Sequence, residues 1–357
     1  MNIYDKNGTL IDMSDDVENA FKELVASGEI NLGAAVGATL ACNNLTDAWI
    51  TKATAAYNSM LARYIELANG AIPFFISTDQ HGFGTNLEQH RWVNNIDVDG
   101  MNIVNINLGD TVYDYYAEST LATALGRTKQ VKNYISVVGN HDALWRGDDV
   151  PTVYDMTRFF HSTYDREITT GANSSYTVID RKHAVKYVIV DTYSNVGVSK
   201  NNLTNDQLTS DLANWLISEL SDDTRDIVLL QHWMLYAPAR VYTYRNGNPC
   251  TDGIGGIQAL RELVTARKNK TSGSVTDKDG VAHAYDFTGC NHELLCALHG
   301  HQHEEMYATL DNLLCYVADW YGNNQSCTFG LIDRANEKLR VWKFDSTATY
   351  DELVLDI

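Results

Sequence analysis

The chain has 357 residues, an apolar fraction of 44%, and 46 acidic against 27 basic side chains, for a formal charge of −19. That length exceeds what one core usually needs, so a large domain with an appended part is expected. The charge disfavours nucleic acid as a partner, no apolar run is long enough to span a bilayer, and the first residues lack a secretory signal, so a cytoplasmic location is expected.

Residues 1–69 differ in character from the rest. Asn7-Gly8, between the short apolar stretches of Ile3 to Ile11, is a hairpin turn signal. Asp15 with Glu18 three places on opens a predicted helix over Val17 to Ala26, which Gly28 ends. Trp49, Ala53, Tyr57, Met60, Leu61 and Tyr64 recur at helical spacing, so a longer helix is predicted from Thr46 to Ala68. This extension reads as a packing layer, with attachment or oligomerisation as the functional alternative.

From Ala71 onward strands alternate with helices, the mark of mixed α/β packing. Pro73 to Thr78 is a strand running into Asp79-Gln80-His81-Gly82, and alternation along an extended chain would put Asp79 and His81 on one side. Ile103 to Leu108 opens into Gly109-Asp110, and Tyr134 to Val138, short and β-branched, ends at Gly139-Asn140-His141-Asp142. Ser175 to Asp180 and Ala184 to Asp191 form a hairpin, Leu208 to Leu220 an amphipathic helix, and Asp226 to Gln231 a strand ending at His232. After a long excursion, Leu294 to Leu298 is a strand ending in His299-Gly300-His301-Gln302-His303. Leu313 to Trp320, Thr328 to Asp333 and Leu339 to Phe344 read as strands of an antiparallel closing sheet. The cysteines show no CxxC pair, and Cys290-x-His292-x-x-x-Cys296 lacks a second ligand pair for a zinc clip.

Five strands thus end in side chains that ligate metals, at loops where α/β folds place ligands. In order, Asp79-x-His81, Gly109-Asp110, Gly139-Asn140-His141-Asp142, His232 and Gly300-His301-x-His303 resemble the calcineurin-like metallophosphoesterase superfamily, over residues 71 to about 345. The resemblance implies an α+β fold in residues 70–357, a four-layer αββα sandwich of two mixed β-sheets flanked by helices, with residues 1–69 as a hairpin and helical extension. It implies two divalent metal ions (manganese, iron or zinc), one held by Asp79, His81, Asp110 and His303, the other by Asp110, Asn140, His232 and His301, with Asp110 bridging. It also implies hydrolysis of a phosphomonoester or phosphodiester by a metal-activated hydroxide, with His141 outside the ligand shell assisting the leaving group. One departure concerns the acidic residue that the family commonly has three places after the bridging Asp. This chain has Tyr113 there and Asp114 one place later, so Asp114 or Asp142 is the candidate to orient His141.

Substrate choice falls to the loops. Tyr236, Arg240 and Tyr242 combine ring faces with a guanidinium after the fourth motif, and Arg146 follows the third closely enough to reach the same cleft. The alternative for the first three is a surface hairpin whose aromatics pack on the domain. His90, His161, His183, His283, His292 and His299 read as structural or solvated. The expected partner is a small-molecule phosphate ester. Two other readings stay open at this point: a nuclease of the same superfamily, which the charge opposes, and a surface- or particle-associated binding protein that keeps the fold without turnover.

Overall fold

The computed structural model describes residues 3–4, 10–11, 42, 44–68, 70–81, 87–97, 101–111, 131–142, 168–172, 174–192, 208–251, 256–322 and 324–357. The predicted helix over Val17 to Ala26 lies outside the described residues, as do Asp114, Arg146 and His161. In chain order the first elements are β1 (Ile3–Tyr4), β2 (Leu10–Ile11), α1 (Asp47–Glu66), β3 (Ile72–Ser77), α2 (Glu88–Ile96), β4 (Val104–Asn107) and β5 (Tyr134–Ser136). Next come β6 (Ile168–Thr170), β7 (Tyr176–Asp180), β8 (Val185–Val190), α3 (Ser210–Ser221), β9 (Asp226–Gln231), β10 (Thr243–Tyr244) and α4 (Gln258–Lys268). The chain closes with β11 (Ser272–Thr276), β12 (Ala282–Asp286), β13 (Leu294–His299), β14 (Met306–Leu310), β15 (Leu313–Val317), β16 (Cys327–Asp333), β17 (Lys338–Phe344) and β18 (Leu353–Asp356). None of the described helices is long and apolar enough to cross a membrane.

Two large mixed sheets organise these strands, one of eight in the order β10-β14-β15-β13-β9-β8-β7-β6 and one of six in the order β18-β17-β16-β3-β4-β5. The mixed α/β class expected from the sequence is therefore present. The chain divides into two compact units, one of Met1–Phe75, Glu88–Val104 and Thr328–Asp356, the other of Ile76–Leu87 and Asn105–Cys327.

In the first unit, β1 and β2 pair antiparallel with Ile3 opposite Ile11, as the Asn7-Gly8 signal predicts. Helix α1 begins at Thr46, whose hydroxyl accepts the Trp49 amide at 3.1 Å, and it buries Trp49, Ala53, Tyr57, Met60 and Leu61 along one stripe. That stripe meets the last strands: Trp49 lies edge-on to Phe344 and Tyr57 edge-on to Phe329, with centroids 5.3 and 5.7 Å apart. Aromatic pairs of this geometry add about 0.5–1.5 kcal/mol each beyond their buried area.

In the second unit, β13 lies parallel to both β9 and β15, and β8 parallel to β9. These strands are almost entirely buried, which explains their continuous apolar runs: a parallel strand covered on both faces shows no alternation. The sequence grouped Leu313 to Trp320 with Thr328 to Asp333 and Leu339 to Phe344 in one antiparallel sheet. Instead β15 sits in the eight-stranded sheet while β16 and β17 belong to the six-stranded one, because Leu-Leu-Cys-Tyr-Val is buried throughout and suits an interior position. The long excursion after His232 contains β10, α4 and the hairpin β11–β12, which the sequence reading left as loop. Within this unit the phenol of Tyr176 on β7 donates to the Ser136 carbonyl at 2.7 Å and accepts the Ser136 amide at 3.1 Å, tying the end of β5 to the other sheet.

Candidate metal centre

The carboxyl ends of β3, β4, β5, β9 and β13 all lie in the second unit, and their loops bring seven predicted ligands together. The loop after β3 is laid along the loop after β4: the Asp79 amide donates to the Gly109 carbonyl and the His81 amide to the Asp110 carbonyl, both at 2.9 Å. Asp79 and His81 do not share a side by extended alternation. Both have left-handed backbones, φ 51° and 45°, so a turn brings them together. Asp110, His301 and His303 are left-handed as well, at 54°, 75° and 58°. Such conformations cost on the order of 1–3 kcal/mol each and persist where surrounding bonds over-determine them, which is common at functional sites.

Two motif glycines are explained by close approach. A Cβ on Gly139 would lie 2.1 Å from Asp110 Oδ1, and one on Gly300 would lie 2.0 Å from Thr78 Oγ1. Any side chain there would drive apart the loops that the ligands occupy.

Asp110, 1% exposed, divides its two oxygens between tasks. Oδ1 accepts the His141 amide at 2.8 Å and so fixes the third loop. Oδ2 faces His232 Nε2 at 3.3 Å, His141 Nε2 at 3.9 Å and His81 Nε2 at 4.0 Å. Next to it Asp79, His81 and His303 form one group of possible ligands, with His81 Nε2 and His303 Nε2 only 3.0 Å apart. Asp110 itself forms a group with His232 and His301, and Asn140 Oδ1 lies 3.2 Å from His232 Nε2 and 3.0 Å from His301 Nδ1. A third group, His81, Asp110 and His141, also meets ligand geometry, so His141 stands at the edge of the shell and not remote from it.

Charge is tightly coupled here. Burial raises the Asp79 carboxyl, but the imidazoles of His232 and His303 outweigh it and hold the acid well below its ordinary range. Burial pulls His232 down, and the carboxylates of Asp110 and Asp79 overcome that to hold the ring at about 9. Burial and the neighbouring His232 push His301 down to about 4, leaving its nitrogens neutral. Asp79 Oδ1 is buried and makes no hydrogen bond, although His303 Nε2 approaches to 3.2 Å without alignment. An orphaned carboxylate oxygen, an amide oxygen held between two imidazole nitrogens, and a mixed His/Asp/Asn donor set fit divalent cations such as manganese, iron or zinc.

The remaining predicted site residues fall elsewhere. The Asp142 carboxylate accepts the Gly139 amide at 3.0 Å and so shapes the loop that carries Asn140 and His141. Tyr242 is fully buried in the apolar core, its hydroxyl directed at the Leu235 carbonyl, which corrects its placement as a cleft residue. The reason is packing: the Tyr242 ring belongs to the apolar cluster that also holds Leu235, Cys250 and Cys315. Tyr236 is half-buried and Arg240 exposed, and the Tyr236 carbonyl accepts a bond from Arg261 at 3.2 Å.

Sequence reasoning missed three neighbours. Thr78 donates to Asp79 Oδ2 at 2.7 Å, Trp233 stacks on His301 with centroids 4.1 Å apart, and Trp320 stacks on His303 at 4.7 Å. Adjacency of Trp233 to His232 was the one available signal for any of the stacked rings.

No protein-family model matches this sequence, and no curated protein matches it. Among solved structures, the chain is similar to a conserved uncharacterized protein from Streptococcus pneumoniae TIGR4 described as a predicted phosphoesterase, at 12% identity over 80% of this chain and 98% of that one, TM-score 0.33. It is similar to GAP50, described as the anchor in the inner membrane complex of Plasmodium, at 11% identity over 80% and 89%, TM-score 0.45. It is also similar to the phosphopantetheinyl hydrolase of Mycobacterium tuberculosis, at 13% identity over 69% and 89%, TM-score 0.36. Likenesses this distant carry no functional weight, which rests on the residues above.

Proposed function

We propose that the protein is a metal-dependent phosphoric ester hydrolase that acts on small phosphomonoesters or phosphodiesters at a dinuclear centre. The observation that supports this most is Asp110 Oδ2, a buried carboxylate oxygen shared by two groups of possible ligands, one with His81 and His141 and one with His232 and His301, while His81 also belongs to a third group with Asp79 and His303. Bound there, divalent cations supply positive charge that draws in a phosphate on an otherwise acidic protein and makes a water acidic enough to attack near neutral pH.

The chain's own residues do the rest. His232 donates Nδ1–H to the Leu108 carbonyl at 2.6 Å, so Nε2 is the nitrogen turned toward Asp110 and would be the one to ligate once it gives up its proton. Gly139 and Gly300 let the loops close to contact. His141, with its side chain 19% exposed, is the one imidazole of the third loop able to meet a leaving group. As water oxygen bonds to phosphorus and the ester P–O bond breaks, the electron pair stays on the leaving oxygen, and His141 Nε2–H gives that oxygen its proton. All these groups fall between Asp79 and His303, so residues 1–69 are assigned no catalytic role.

Assay of the metal-reconstituted full chain against an aryl monoester, an aryl diester, a cyclic nucleotide and single-stranded DNA tests the reading. Metal-dependent turnover of a small ester is expected, and no turnover of any of the four would overturn it.

A further inference from the structure

A metal-binding histidine is normally locked by a hydrogen bond from its second ring nitrogen to a carboxylate, carbonyl or water. His232 has that lock in the Leu108 carbonyl. His301 and His303 do not: among the described residues, the hydrogen-bonding nitrogen of each faces inward, His301 Nδ1 to Asn140 and His303 Nε2 to His81. Both lie on one left-handed loop, and the His303 side chain is 42% exposed, so packing alone leaves its ring free to turn.

These two rings are the ones stacked on tryptophan. Trp233 lies on His301 at 4.1 Å with planes 24° apart, and Trp320 on His303 at 4.7 Å with planes 7° apart. Trp320 also meets His81 edge-on at 6.1 Å, so it touches both imidazoles of the Asp79 group. Trp320 is itself held by Gly322, where an added Cβ would lie 2.4 Å from its Cε2.

We propose that Trp233 and Trp320 are positioning residues that do for His301 and His303 what the Leu108 carbonyl does for His232, each indole plane fixing the histidine ring stacked on it and thereby setting the affinity of one of two metal positions. This rests on the metal-centred reading above. The loop that carries His301 and His303 then needs no carboxylate behind it, which spares the site further negative charge. Each tryptophan is also a reporter, because a paramagnetic cation on a stacked histidine quenches the indole behind it.

The test uses the full chain, stripped with chelator and titrated with Mn(II), bound metal being counted by equilibrium dialysis. In each Leu variant, the short-range part of the Co(II) quenching that disappears when the second of the two stacked tryptophans is also replaced reports the remaining position. Trp320→Leu keeps apolar volume but removes the plane. It should weaken one metal equivalent about 10- to 100-fold, the usual cost of losing an outer-shell partner, and leave the Co(II) midpoint at Trp233 unchanged. Trp233→Leu should do the converse, and Trp→Phe at either position should restore binding to within a few-fold. Should a Leu variant fail to fold, Gly322→Ala, which pushes the Trp320 ring aside without removing it, should reproduce the selective loss. Two equivalents bound with wild-type affinity in the Leu variants or in Gly322→Ala would overturn the inference alone, as would equal weakening of both. Wild-type protein that takes up no divalent cation would overturn the functional reading as well.

Discussion

His232 donates its Nδ1 hydrogen to the Leu108 carbonyl at 2.6 Å, and that bond decides that Nε2 is the nitrogen the centre receives. In the cation-free protein, burial lowers this ring's affinity for a second proton, while Asp110 and Asp79 raise it more, to about 9. A value raised above the ordinary 6.5 means that protonated His232 stabilises the fold below pH 6.5, and that this contribution is lost as pH rises through 9. The thermal midpoint of chelator-treated protein should therefore fall across that window, and the fall should be absent in His232→Asn. A cation must displace the same proton, so Mn(II) affinity should climb by up to about tenfold per pH unit across the window. Calorimetry in two buffers of different ionisation heat reads the proton released.

Proton delivery and metal assembly separate at His141. Because the role proposed for His141 is confined to the leaving group, His141→Asn should keep the cations that the wild type binds and slow hydrolysis by about 10²- to 10⁴-fold. The loss should shrink for nitrophenyl esters, whose leaving group needs little protonation, and stay large for alkyl esters. Elemental analysis with rates on both ester types decides this. Loss of metal in the variant would make His141 a ligand, as its place beside His81 and Asp110 allows.

Close approach of the third and second loops depends on Gly139. Gly139→Ala places a methyl 2.1 Å from Asp110 Oδ1 and 2.3 Å from the Asp110 backbone nitrogen, so turning the carboxylate does not suffice and the loop must lift. Overpacking of this kind costs about 1–3 kcal/mol, and the thermal midpoint should drop accordingly. Metal binding should fall further than stability does, because Asp110 is the group displaced; Gly289→Ala, with open space around it and no left-handed backbone, serves as the control in the same titration.

Substrate size should matter through charge. With a formal charge of −19, the chain should cleave small esters far better than nucleic acid at physiological salt. Competition between a nitrophenyl phosphodiester and single-stranded DNA at two ionic strengths measures this, and efficient DNA cleavage would promote the nuclease reading.

The candidate donors could be picked out in the sequence because each short apolar strand ends at a glycine or polar turn, as Tyr134–Ser136 does before Gly139, and because the donor types repeat from strand to strand. How the donors meet was not. Asp79 and His81 come together through left-handed turns that the period of a strand does not encode, and the same turns at His301 and His303 set those rings against Trp233 and Trp320. Strand β15 went to the wrong sheet because a uniformly apolar run tells burial but not its neighbours. Helix α4 was missed although Leu260, Leu263, Val264 and Arg267 recur at helical spacing and are buried; the polar residues between them and the aromatic stretch before them hid the pattern. Tyr242 looked like a cleft residue since tyrosine and arginine alternate around it, and only the burial of one face distinguishes core from rim.

The sharing of Asp110 between two cations is tested most directly by metal stoichiometry. The wild-type chain, stripped and dialysed against Mn(II), should bind two equivalents and gain esterase activity with the second. Asp110→Asn, which keeps the shape and removes the charge, should hold no more than one and lose most of that activity. Two equivalents retained in Asp110→Asn, or a single equivalent at saturation in the wild type, would contradict a bridging role for Asp110.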